Sequence, residues 1–122
     1  MIDSNGSKDC GNSPKNTLLE KVAVALEVGD TEFLSEYLAD GAIWELSDKR
    51  VAVGKDIGRV FNESDAEAVF VSIDHVMSHG KVGAVNGFSQ NNKGKKVDFC
   101  HVIEFSSVKF TKISRLLSYS KL

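Results

Sequence analysis

From about residue 67 to residue 120 the chain reads as four β-rich segments, 67–78, 81–90, 95–106 and 110–120, parted by short turn signals. Side chains of a strand alternate between two faces, so a pairing register decides which residues share a wall. The turn Asn91-Asn92-Lys93-Gly94 is a hairpin signal. Pairing Gln90 with Lys95 sets Phe88 opposite Val97, Asn86 opposite Phe99, Ala84 opposite His101 and Val82 opposite Ile103. A turn at His79-Gly80 pairs Ser78 with Lys81, which sets His75 opposite Ala84, Ile73 opposite Asn86 and Val71 opposite Phe88. Both registers put the apolar residues on one face, whose polar members are His75, Asn86 and His101. An apolar wall with a few convergent polar groups is what a small-molecule pocket requires.

The first half supplies the other layer. Residues 1–12 are rich in Gly, Ser, Asn and Asp and hold little to bury, so a disordered tail is expected before a single domain over 13–122. Ser13-Pro14 reads as a helix start, followed by Leu19, Val22, Ala23 and Leu26 at helical spacing, with Gly29 as the stop. Asp30 caps a second helix with the stripe Phe33, Leu34, Tyr37 and Leu38, ended by Asp40-Gly41. A strand over 42–47 containing Trp44, a turn at Asp48-Lys49-Arg50, a return strand over 51–53 and a short helix marked by Ile57, Val60 and Phe61 complete it. Helices followed by a meander of long strands make an α+β layout, with helices packed on the concave face of a curved, mainly antiparallel sheet.

Composition narrows the partners. Fifteen basic against seventeen acidic residues give a net charge of −2, with no footprint for nucleic acid and no basic face for a membrane. No apolar run is long enough to span a bilayer, and no leader pattern opens the chain, so a cytoplasmic protein is expected. Cys10 and Cys100 lack the paired spacing of a metal knuckle and fit a reducing compartment. Neither a metal nor a cofactor is expected, because two histidines without a clear carboxylate partner fall short of the usual three protein ligands.

Three stretches carry a family resemblance. They are Phe33 to Glu45 (FLSEYLADGAIWE), Gly54 to Phe61 (GKDIGRVF), and Asp98 to Phe105 followed by Lys109 to Ile113 (DFCHVIEF, KFTKI). In this order and spacing they resemble the nuclear-transport-factor-2-like superfamily, within it the SnoaL-like and ketosteroid-isomerase-like branch, over about residues 15–120. The resemblance implies a cone-shaped α+β half-barrel with a deep pocket and a homodimer packed through the outer sheet face. The superfamily holds isomerases, cyclases, dehydratases, hydrolases and pure binding proteins, so fold alone does not assign an activity. Where the isomerases would place a catalytic aspartate, at the end of the first strand, this chain has Leu46, with Glu45 beside it. That departure argues against steroid-type isomerisation.

Histidine exchanges protons most readily near neutral pH, so His101 and His75 are the candidate acid–base pair. Their backbones are expected roughly 10 Å apart across two strand spacings, with curvature bringing the rings together. Asn86 can donate to or accept from a carbonyl or hydroxyl. Trp44 and Tyr37 either line the pocket or fill core. Arg115 has two allowed registers, one beside His101, where it would hold a carboxylate, and one turned outward. Val71, Ile73, Phe88, Phe99 and Ile103 would form the walls around a small apolar molecule. The function expected is that of a small-molecule pocket protein using histidine-mediated proton transfer. The alternatives are a non-catalytic binding or sensing domain, and a dimeric interaction module with a filled cavity.

Overall fold

A computed structural model describes residues 3–5, 13–62 and 68–121. The elements are β1 (Asp3–Asn5), α1 (Pro14–Val28), α2 (Thr31–Tyr37), β2 (Leu38–Leu46), β3 (Val51–Val53), a 3-10 turn (Gly54–Asp56), α3 (Ile57–Asn62), β4 (Ala68–His79), β5 (Val82–Asn91), β6 (Lys96–Phe105) and β7 (Ile113–Lys121). The strands form one curved, unclosed mixed sheet in the order β1-β4-β5-β6-β7-β2-β3. The β4-β5-β6-β7 meander is antiparallel, β2 joins β7 in parallel, and β3 folds back on β2. This is the α+β architecture expected from the sequence. Asp3–Asn5 runs parallel to β4 as a short edge strand, although it falls where a disordered tail was expected. The rest of that tail lies outside the described residues.

Helix α1 starts and stops, and α2 starts, where the sequence places the signals. Ser13 accepts a hydrogen bond from the Asn16 N–H at 3.3 Å, and Pro14 occupies the first turn of α1. Gly29 closes it with φ +78°, a left-handed cap that side-chain-bearing residues resist. Asp30 then caps α2 by accepting from the Phe33 N–H at 3.1 Å. Helix α2 stops at Tyr37, three residues before the expected break. Strand β2 begins at once and passes an irregularity between Leu38 and Ile43, where Gly41 has φ +75°.

Leu19, Val22, Ala23 and Leu26 of α1 are buried against the sheet, with Val71, Ile73, Val76, Val85, Phe99, Ile103, Phe105, Ile113 and Leu116 facing them. Each large aliphatic side chain buried in this layer contributes roughly 1.5–3 kcal/mol. Helix and sheet approach closely at Gly83. A β-carbon built there would lie 2.4 Å from Leu19 Cδ1 and 2.5 Å from Cδ2.

The observed registers differ from those expected, and the difference inverts β5 and the end of β4. The turn between β4 and β5 is Gly80-Lys81, not His79-Gly80, so His79 pairs with Val82. Gly80 has φ +61°, the left-handed value that a tight hairpin needs at its first turn position. Strand β4 also carries irregularities between Ala68 and Phe70 and between Ile73 and His75, so His75 pairs with Asn86. The loop between β5 and β6 is one residue longer than expected, because the Asn91 side chain accepts from the N–H groups of both Lys93 and Lys95. Gln90 therefore pairs with Lys96, and His101 pairs with Val85 rather than Ala84. A one-residue slip turns every side chain of a strand over. Gly83, Val85, Gly87 and Ser89 face the helices, while Ala84, Asn86 and Phe88 face outward.

Candidate functional site

The site is built by four strands and one helix. His101 projects from the inner face of β6 and is 3% exposed. Its cross-strand partner on β7 is Ser118, whose Oγ lies 2.7 Å from His101 Nδ1. In α1, Leu19, Ala23 and Glu27 form a row at four-residue spacing, so the helical face that packs on the sheet ends in a carboxylate. Glu27 Oε2 sits 2.6 Å from His101 Nε2, and its Oε1 accepts from the Ser89 hydroxyl on β5 at 2.8 Å. Trp44 of β2 donates its indole N–H to Ser118 Oγ at 2.7 Å. The Phe99 ring stacks on the imidazole at 5.0 Å between centroids.

Donor counting fixes the tautomer. An indole nitrogen can only donate, so Ser118 Oγ accepts from Trp44 and has one hydrogen left to give. Giving it to His101 Nδ1 leaves Nε2 as the protonated nitrogen, directed at the Glu27 carboxylate. Every member of the chain Trp44–Ser118–His101–Glu27–Ser89 is then satisfied. Among the described residues no buried side-chain nitrogen or oxygen lacks a partner, as a buried polar network requires.

This network forms part of the wall of a cavity of about 490 Å³ between helices and sheet. Leu26, Leu46, Val60, Phe61 and Phe99 supply apolar wall, and Arg50 and Lys95 stand among the exposed lining residues where it opens. Arg50 is tied to Asp48 at 2.6 Å, and the Arg50 N–H with the adjacent guanidinium keeps the Asp48 carboxyl below its usual range. A second hollow, about 420 Å³, lies across the outer sheet face between Met77, Ala84, Asn86, Cys100 and Tyr119.

Of the residues singled out in the sequence, His101, Trp44 and Phe99 meet at the inner cavity. Val71, Ile73 and Ile103 are buried on the same side but belong to the core rather than the cavity wall. His75 is not brought to His101. It is exposed on the outer face, where its Nδ1 lies 3.2 Å from Asn86 Oδ1. The irregularity after Ile73 and the longer loop after Asn91 put both residues there. Phe88 also faces outward, 5.9 Å from Phe70 and beneath Lys96 Nζ. Arg115 takes the outward register, paired with Glu45 and Glu104. The hydrogen bond and charge of Glu45 hold its guanidinium still more firmly protonated. Tyr37 packs on Phe33, 5.1 Å between ring centroids, away from the cavity.

Sequence reasoning missed Glu27, Ser118 and Ser89. Their signal was present: each is a polar residue on an otherwise apolar face, Glu27 in the row of Leu19 and Ala23, Ser118 beside Leu116, Ser89 beside Val85. Among the described residues no helix is long and apolar enough to cross a membrane.

No family model matches the chain, and no curated protein matches it at a significant level. Solved structures do. A ketosteroid isomerase candidate from Kribbella flavida DSM 17836 superposes with TM-score 0.72 at 16% identity, over 88% of this chain and 77% of that one. A SnoaL-like polyketide cyclase candidate from Shewanella putrefaciens CN-32 gives 0.68 at 14% identity, over 90% and 82%. An NTF2-like protein of unknown function from Cytophaga hutchinsonii ATCC 33406 gives 0.65 at 20% identity, over 87% and 98%. The helices on a curved sheet, the order of its strands and these superpositions together establish that the chain has the nuclear-transport-factor-2-like fold.

Proposed function

We propose that this protein binds a small apolar molecule in the cavity between helices and sheet, and that His101, backed by Glu27, moves a proton in the bound ligand's chemistry. The observation that carries this reading is the 2.6 Å contact between Glu27 Oε2 and His101 Nε2 in the wall of a cavity of about 490 Å³. That volume is in the range of drug-sized ligands. A carboxylate on one imidazole nitrogen orients the ring and stabilises the imidazolium formed when the other takes a proton. Glu27 thus fills the role of partner that the sequence had suggested for His75. The ligand class is an apolar carbonyl compound, whose electrophilic carbon a hydroxyl backed by an imidazole base can engage.

Trp44, the chain's single tryptophan, lines the cavity and reports on it directly. Titration with a panel of apolar ketones and esters should change its fluorescence and raise the unfolding midpoint. His101→Gln should retain binding and lose any turnover. If no member of the panel changes either signal, the pocket reading fails. If binding occurs and His101→Gln turns over as fast as the parent, the proton-transfer role fails and a binding or sensing domain remains.

The outer sheet face supports a second, compatible reading, a homodimer interface. Met77 is 61% and Tyr119 51% exposed on either side of the hollow there, and exposed apolar side chains clustered in one place mark interaction surfaces.

A further inference from the structure

We infer that Ser118, His101 and Glu27 form a nucleophilic triad, with Ser118 Oγ as the attacking atom, and that the substrate is an ester of a small apolar acid. The inference rests on the pocket reading above and extends it. Both imidazole nitrogens are engaged, Nε2 by Glu27 and Nδ1 by Ser118. A bound molecule therefore exchanges a proton with His101 through Ser118. A serine hydroxyl that donates to an imidazole, whose far nitrogen is held by a carboxylate, is the arrangement that activates a weak nucleophile. The separations, 2.7 Å and 2.6 Å, are within working reach, and all three residues line the same cavity. The two imidazole nitrogens are exchanged relative to the commonest order of such triads, which leaves the proton path unchanged.

Attack by Oγ on the ester carbonyl carbon forms the C–O bond as the hydroxyl proton passes to Nδ1. Glu27 then faces an imidazolium. Collapse of the tetrahedral adduct breaks the bond to the leaving alkoxide, which takes the Nδ1 proton and departs as the alcohol. Water attacks the acyl-serine next and gives its proton to Nδ1. The carboxylic acid leaves as Oγ recovers that proton. The oxyanion develops two bonds away from Oγ, and the Trp44 N–H, already 2.7 Å from Oγ, is the donor assigned to it. Phe61, Phe99 and Leu46 offer the apolar wall for the acyl chain.

The test uses the whole chain with p-nitrophenyl butyrate and with phenylmethanesulfonyl fluoride. One sulfonyl group per chain should appear on Ser118, and p-nitrophenol should be released in a burst that approaches one equivalent. His101→Gln, which keeps a hydrogen-bonding amide between its neighbours, should fold and lower the burst rate by about 10³-fold or more. Ser118→Ala should abolish label and burst; should that variant fail to fold, His101→Gln decides. A folded parent that binds apolar esters by Trp44 fluorescence yet takes no label on Ser118 overturns the triad and leaves the pocket reading standing. Label on another residue, or an unchanged burst in His101→Gln, overturns it as well. Absence of ester binding together with absence of label removes both readings.

Discussion

Gly83→Ala probes the contact on which the site depends. A β-carbon at residue 83 would stand 2.4 and 2.5 Å from the two terminal carbons of Leu19 and 3.0 Å from its Cγ. Carbon atoms rest about 3.5–4.0 Å apart, so α1 and β5 must separate by about 1 Å, or Leu19 must leave its rotamer inside a filled core. Leu19 is 0% exposed, so any new rotamer has to be found inside the core. Overpacking of this kind costs about 1–3 kcal/mol. Alanine offsets part of it by restricting the unfolded chain, about 0.4–1 kcal/mol, because residue 83 does not use a left-handed φ. The net loss is about 1–2 kcal/mol, a fall in the unfolding midpoint of roughly 4–8 °C for a domain of this size. Urea unfolding of a double-mutant cycle isolates the cause. Leu19→Ala alone should cost about 2–5 kcal/mol, but in that background Gly83→Ala should become neutral or stabilising, a coupling above about 1 kcal/mol. Glu27 lies two helical turns beyond Leu19, so the single variant should also loosen the Glu27–His101 contact. Additive costs, or a Gly83→Ala variant as stable as the parent, would refute the claim that this close approach seats the helix.

Other perturbations address the site and its surroundings. Glu27→Ala removes the acceptor for both His101 and Ser89 and should lower stability by about 1–3 kcal/mol for each buried donor left without a partner, with Glu27→Gln costing less; equal stability of Glu27→Ala by urea titration would place the pair outside the fold's support. Burial raises the Cys100 thiol pKa, so the thiolate fraction is smaller than that of a free thiol at any pH below the raised value. Alkylation at Cys100, followed by peptide mass mapping, should therefore be slower than that of a model thiol at pH 8 and should gain rate at higher pH, and rates equal to the model thiol's would contradict it. Met77→Glu puts a charge on the outer hollow and should shift a dimer towards monomer in light-scattering chromatography, with unchanged unfolding at low concentration; an unaltered dimer would exclude that face.

His75 shows how a sequence reading can be right about elements and wrong about faces. Its strand is present over almost the range expected, Ala68–His79, and alternation correctly puts Val71 and Ile73 inward. The irregularity after Ile73 breaks that alternation, so Val76, three residues on, is buried and His75 is not. A bulge adds one residue with no change of composition, and nothing in the pattern of Ile73-Asp74-His75-Val76 marks it in advance. Gly87 is its visible trace: a β-carbon there would fall 2.0 Å from Ser72 O, so only glycine lets the two backbones pass at the bulge. Asn91 acted in the same way on β5, lengthening a turn by capping two backbone N–H groups with its side chain.

Local chemistry in the sequence determined the helix caps, the long strands, their order along the chain and the apolar side of each helix, because capping, periodicity and turn preferences act over a few residues. Those features carry the α+β class, and with the three stretches quoted they carry the nuclear-transport-factor-2-like fold. Which residues meet His101 was decided in three dimensions. Glu27 and Ser118 lie 74 and 17 residues from it in sequence, and they converge only once strand parity, bulge positions and the seat of α1 on Gly83 are set. Parity changes with a single inserted residue and helix seating with a single methyl group, so the pocket wall is fixed by non-local contacts that no short window of the chain contains.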